Sequence, residues 1–364
     1  MDKINFFNKN QNRDSFIDFL KVIGCISIAF IHHNKMLPGI APFFDNILKE
    51  YLLLFVEVFF ICSGYCMEMR YSNKIKDLNL ATYLNKRFRK IYAVYLITLI
   101  ICIIEAYVFL YYGYNFVKDT SLDFFHIIQA ILCIESGWFI GALSPNEAGW
   151  FVNVLLLDYL IFFFINKFAF KNRNIFYILL TLISITGIIY NWAYPFLFSY
   201  ASLRGYSFFL GCLIFNYASE LKKLKIIYSL ILFIWGIYIL IYLNFGETLN
   251  NYFATKDLLG FQLKFYYVYF IFVPIFIMGI NSSLSNLFNI WIIRFINRYI
   301  LEIYLSHFML INFIGFLGHI GIIKNIQTYT ITVIYIAGTF IISVILSKVV
   351  NSIFNKLTKE TGIS

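Results

Sequence analysis

Long apolar runs of about 20 residues, separated by short polar stretches, repeat along the whole chain. A helix rises about 1.5 Å per residue, so such a run crosses the roughly 30 Å hydrocarbon core of a bilayer. The pattern predicts an all-α, polytopic integral membrane helix bundle. Its ten expected spans are about 15–36, 48–69, 91–112, 149–167, 174–192, 200–217, 226–244, 261–280, 299–318 and 327–347. A membrane barrel would instead show alternating segments of about ten residues. A further stretch, about 122–143, is interrupted by His126, Gln129, Glu135 and Gly137 and reads as a re-entrant or interfacial segment. Residues 1–364 are expected to form one membrane domain. No cleavable signal is expected before the first run, and no domain outside the membrane after the tenth.

The first run carries two ionisable residues on one face. Eleven steps of about 100° bring His32 to within about 20° of Lys21, and about 16 Å further along the axis. Asp14, Asp18, Cys25 and Ile28 fall near the same stripe. Ionisable groups turned to hydrocarbon would cost several kcal/mol each, so this stripe is expected to face protein or water. A lysine two turns inside a span also suits snorkelling, and histidines at a helix end suit an interface. Neither of those readings requires a shared face.

Composition agrees with the pattern. The chain is 61% hydrophobic and 13% charged, far more apolar than a soluble domain. Its mean hydropathy is +0.76. The 21% aromatic content, with many Ile, Asn and Lys, matches an AT-rich coding bias and carries no functional message. The six cysteines lie in or beside apolar runs with no Cys-x-x-Cys, which reads as inert small hydrophobes rather than disulfides or metal ligands. The net charge of +10 could point to nucleic acid, but its distribution excludes that. With the N-terminus in the cytoplasm, 21 of the 29 Lys and Arg fall on inner segments and six on outer ones. That asymmetry is a positive-inside signal, and it predicts a multi-pass protein of the cell membrane with both termini cytoplasmic.

Several polar groups interrupt the apolar runs. A histidine near neutral pKa can take a proton from an attacking hydroxyl, which makes His32 a candidate general base. Glu57 lies in the second run and needs a partner or a cavity, while Ser63 and Gly64 allow a helix or ligand to approach closely. Lys86, Arg87, Arg89 and Lys90 place four cations in five residues before the third run. They suit phosphate binding, or simple anchoring against anionic lipid. Asp158, Arg204, Glu302 and His307 lie within later spans. Each alone suits interhelical hydrogen bonding; together they suggest a hydrated central cavity. The chain has no Gly-x-x-x-x-Gly-Lys loop, no His-Glu-x-x-His, no Gly-x-Ser-x-Gly and no His-x-x-x-Asp. ATP hydrolysis and zinc hydrolysis therefore lack sequence support, and no metal is expected.

At these residues the sequence resembles the acyltransferase 3 family of membrane acyltransferases. Asp18, Lys21 and His32 match that family's first-helix pattern of an acid, a cation three positions on, ten residues and a histidine. Glu57, Phe59, Phe60, Ser63, Gly64 and Tyr65 match its second-helix pattern with one conservative change. Arg87, Lys90 and Ile91 match the opening of its third helix, with Lys90 for Arg and Ala93 for Pro. Ile303 to His307 gives a later Ile-Tyr-Leu-x-His, with Ile300 where the family usually has Ser. Trp150-Phe151 and Phe208-Phe209-x-Gly211 are weaker shared features.

The resemblance implies transfer of an acyl group, commonly acetyl from cytoplasmic acetyl-CoA or another acyl-CoA, to a hydroxyl of a carbohydrate. The acceptor would be a cell-wall glycan, capsule, exopolysaccharide or lipid-linked sugar. His32 would be the general base, with Lys21 and Asp18 beside it. Arg87, Lys90 and Arg298 would hold the donor, and no tightly bound cofactor would be needed. The alternative is a secondary transporter or flippase for a carbohydrate or lipid-linked substrate, which midplane charges and ten spans also suit. No inverted repeat is visible, and with five prolines no pair of broken helices is evident.

Overall fold

The computed structural model describes residues 14–36, 55–114, 122–136, 145–189, 200–237, 271–280, 283–323 and 328–361. Every regular element among them is helical. In chain order these are α1 (Ser15–Met36), α2 (Phe55–Tyr71), α3 (Leu80–Tyr111), α4 (Phe124–Leu132), α5 (Trp150–Phe168), α6 (Arg173–Ile189), α7 (Tyr200–Gly205), α8 (Ser207–Asn216) and α9 (Ala218–Leu221). They continue with α10 (Lys225–Ile237), then α11 (Val273–Gly279), α12 (Trp291–Asn297), α13 (Ile300–His319) and α14 (Thr328–Thr361).

Among the described residues, five helices are long and apolar enough to cross a membrane: Ser15–His33, Leu80–Tyr111, Glu147–Phe168, Ile300–His319 and Thr330–Lys356. The ten-span expectation is thus met for only five. The second and fifth expected spans appear as the 17-residue α2 and α6. The sixth is divided by Tyr206 into α7 and α8. The seventh and eighth lie partly outside the described residues. In the 122–143 stretch, α4 has nine residues, about 13 Å, too short to cross. Asp123 caps its start, and Cys133 ends it with φ 61°.

Two helices run beyond their expected ends. Asn79 caps α3 by accepting a hydrogen bond from Thr82 N at 2.8 Å, so the helix begins eleven residues before 91. The cluster Lys86 to Lys90 therefore belongs to the body of α3 and not to a loop. Long cationic side chains are good helix formers, so nothing in the cluster stops helix propagation from the cap. At the other terminus α14, 34 residues in all, runs past 347 to Thr361.

The closest packing joins α2 to α8. A Cβ on Gly64 would overlap the Phe208 carbonyl, and one on Gly211 would overlap the Ile61 carbonyl. Each glycine lets the opposing backbone into the space a side chain would take. The same crossing carries a hydrogen bond from Cys212 Sγ to Gly64 O at 3.4 Å. Around it, Phe60, Tyr83, Tyr95, Phe162, Tyr177, Phe208 and Phe209 are fully buried and form the aromatic centre of the core.

Candidate active site

Except at Lys21, the polar stripe of α1 has contacts in one segment, 285–308, in ascending order. Asp14 caps α1, accepting from Phe16 N at 2.9 Å and from Ser285 Oγ at 2.8 Å. Asp18 accepts from Asn297 Nδ2 at 2.6 Å. Cys25 Sγ lies 3.7 Å from Ile300 O. His32 packs its ring 5.3 Å from that of His307 and 4.6 Å from that of Phe308. The helical period of α1 aligns these residues; the outer ones, Cys25 and His32, meet α13, while Asp14 and Asp18 meet the segment that precedes it.

His33 points elsewhere. Neighbouring helical residues diverge by about 100°, and the His33 ring lies 5.0 Å from that of Tyr335 on α14. It lines a separate, almost wholly apolar cavity of about 280 Å³ with Ile26, Ile296 and Phe340.

Lys21 opens into a polar cavity of about 330 Å³. Its ammonium lies 3.9 Å from Cys66 Sγ. The other polar lining is Ser63 on α2, Lys90 on α3, Tyr159 on α5, Asn297 and Arg298 at the end of α12, and Glu302 and Tyr304 on α13. Lys90 and Arg298 are exposed and form the mouth, while Glu302 is fully buried within. Glu302 Oε1 and Lys90 Nζ are 3.5 Å apart. The cavity thus has a cationic rim, a lysine further in and one carboxylate on its wall. Its size is at the low end of ligand sites, which run about 300–1,000 Å³.

Phe59, Phe151 and Tyr304 are aromatic members of the cavity lining. Their ring centroids are 6.0 Å (Phe59–Tyr304), 6.0 Å (Phe59–Phe151) and 5.1 Å (Phe151–Tyr304) apart. Tyr304 in turn lies 5.7 Å from His307. Tyr304 thus touches both the cavity and the histidine pair.

The remaining candidates are placed as follows. Arg87 is off the cavity, with its guanidinium 3.9 Å from the Tyr71 ring centroid. Glu57 is fully buried and forms an ion pair with Arg204, whose guanidinium lies 5.3 Å from the Trp150 ring centroid. Asp158 is fully buried near Gly205, and neither of its carboxylate oxygens has a hydrogen-bond partner among the described residues. Ser63 and Glu302 line the cavity; Glu57, Asp158, Arg204 and His307 are not among its lining residues. A second buried ion pair, Arg173 with Glu68 at 3.0 Å, gained no place among the candidates. Tyr177 OH donates to the same carboxylate at 3.0 Å.

Sequence reasoning missed Asn297, Tyr304 and Cys66. Tyr304 was within reach, since it occupies the motif that contains His307. Asn297 and Cys66 carry no such signal, because their contacts join positions 279 and 45 residues apart.

Residues 14–348, nearly the whole chain, match the family described as an acyltransferase domain, acyltransferase 3. No curated protein and no solved structure matches significantly.

Proposed function

The chain belongs to the acyltransferase 3 family, a membrane acyltransferase family, and from that premise we propose acetyl transfer from cytoplasmic acetyl-CoA to a hydroxyl of a cell-surface or exported carbohydrate. One observation carries the proposal: a single cavity gathers Lys21, Lys90, Arg298 and Glu302, and Lys21 shares its helix face with His32.

CoA is polyanionic, so its phosphates belong at the exposed cationic mouth, where Lys90 and Arg298 make charge-assisted hydrogen bonds. Arg87, three residues before Lys90 on α3, is one turn away and reinforces the positive field. A space of about 330 Å³ takes the narrow pantetheine arm and leaves the nucleotide outside. Lys21 hydrogen-bonds the arm as it passes. The mouth then faces the cytoplasm of a cell-membrane protein whose termini lie inside, in keeping with the positive-inside bias.

His32 acts as general base. It takes the proton of the acceptor hydroxyl as the oxygen attacks the thioester carbon; the O–C bond forms, the C–S bond breaks, and the proton passes to the departing thiolate. A thioester is already activated, so neither ATP nor a metal enters the balance. For the thioester to reach His32, the Tyr304 ring has to turn out of the aromatic trio.

Donor docking is tested by the double variant K90A/R298A. Two lost charge-assisted contacts of about 1.5–3 kcal/mol each predict a rise in KM for acetyl-CoA of at least about tenfold, with a smaller change in KM for the acceptor. An unchanged KM for acetyl-CoA would reject this mouth as the donor site.

A further inference from the structure

We infer that His307 is a positioning residue for the transfer reaction: it takes the N–H of His32 and so turns the other His32 nitrogen to the acceptor hydroxyl. The inference rests on the general-base reading of His32 and adds a second histidine to it.

The geometry assigns this part through the tautomer of His307. Its Nδ1 lies 2.5 Å from the Tyr304 carbonyl oxygen. A carbonyl only accepts, so Nδ1 carries the hydrogen, and in the neutral ring Nε2 carries a lone pair. The residue is buried at 1% exposure, and Nε2 has no hydrogen-bond partner among the described residues. An imidazole acceptor enclosed in a helix bundle is costly to leave unmade. The ring next to it is that of His32, 5.3 Å away and inclined by 41°. At that spacing a rotation of the His32 side chain brings one of its nitrogens into hydrogen-bond range of Nε2.

The proton balance follows. His32 starts neutral, with its N–H given to His307 and its lone pair facing the substrate. It gains the hydroxyl proton as the O–C bond forms, and the resulting imidazolium keeps its hydrogen bond to a neutral acceptor. It then releases the proton to the thiolate sulfur. His307 stays neutral throughout, because a second cation buried beside the His32 imidazolium is disfavoured, and its Nδ1 hydrogen stays on Tyr304 O. The carbonyl, His307 and His32 thus form a chain in which each member fixes the tautomer of the next.

Among the described residues, titratable and charged groups near the pair include Tyr304 on α13, Tyr335 of α14 across His33, and the Glu57–Arg204 pair of α2 and α7, whose charges act on Tyr304. Glu105 of α3 and Glu147 before α5 lie on elements that pack against α13.

The test uses the full chain in membranes and compares wild type, His307→Phe and His307→Gln for kcat, KM of acetyl-CoA and the pH dependence of kcat. Phenylalanine keeps the ring and removes the acceptor; glutamine restores an acceptor oxygen. The hydrogen bond to His307 favours the protonated form of His32, so its loss moves the pH dependence of kcat. His307→Phe is expected to lower kcat by on the order of 10- to 100-fold, leave KM of acetyl-CoA unchanged, and move the acid limb to lower pH. His307→Gln is expected to recover much of the rate and return the limb. Should the phenylalanine variant fail to accumulate, His307→Leu takes its place with the same outcomes. A wild-type rate and profile in His307→Phe, or equal losses in both variants with no movement of the limb, overturns the inference. Retained transfer in His32→Ala overturns the base reading instead, so the two failures are distinct.

Discussion

Lys21 is the residue whose surroundings bear most on function. An ammonium placed at membrane depth is retained only where protein or water offers it polar neighbours. Here those are Cys66 and a cavity shared with Glu302, Lys90 and Arg298. Lys21→Met keeps the length of the side chain and removes the charge. Loss of one charge-assisted contact of about 1.5–3 kcal/mol predicts a fall in kcat/KM for acetyl-CoA of roughly 10- to 100-fold, measured by label transfer at limiting donor. Lys21→Arg should retain part of the activity. A methionine variant with unchanged kcat/KM would remove Lys21 from the donor path.

At the scale of helices, the crossing of α2 and α8 has no spare room. Gly64→Ala drives a methyl into the Phe208 carbonyl, a backbone atom that cannot swing aside. Overpacking of this kind costs about 1–3 kcal/mol or more, so the detergent-solubilised protein should unfold several degrees lower, as read by thermal melting. An unchanged melting temperature would mean that the two helices separate easily. The Arg173–Glu68 pair gives a second expectation of this type. Removing one partner of a buried pair costs about 3–5 kcal/mol, so Arg173→Ala should lower abundance and melting temperature while KM for acetyl-CoA in the surviving protein stays near wild type.

These helices also show what a sequence discloses. The α1 stripe was legible because its residues lie on one helix, where spacing fixes direction. The Ser63-Gly64 approach was legible because small residues at that position have one obvious use. The length of α3 was not, because its start depends on the Asn79 cap and the apolar pattern begins only later. The pairings of Glu57 with Arg204 and Asp18 with Asn297 were out of reach for another reason. They join positions 147 and 279 residues apart, and no local period encodes such a contact.

At the scale of the whole molecule, the Lys21 cavity and the histidine pair are bridged by aromatic rings. Tyr304 packs with Phe59 and Phe151 in the lining of the Lys21 cavity and also against the His307 ring. On the proposed transfer reading, this aromatic trio would stand as a barrier between the thioester and His32. Tyr304→Ala should lower that barrier and raise acceptor-independent hydrolysis of acetyl-CoA severalfold, read as free CoA released without glycan. No increase would show that the trio does not separate the thioester from His32.

The central claim is transfer at His32 of a group delivered from the Lys21 side. It is tested most directly in inside-out membrane vesicles given acetyl-radiolabelled CoA, comparing wild type with His32→Ala at matched protein abundance. Wild type is expected to pass label to vesicle glycan, and His32→Ala to lose at least about 100-fold of that rate, as for the loss of a general base. Equal labelling by the two proteins would contradict the account.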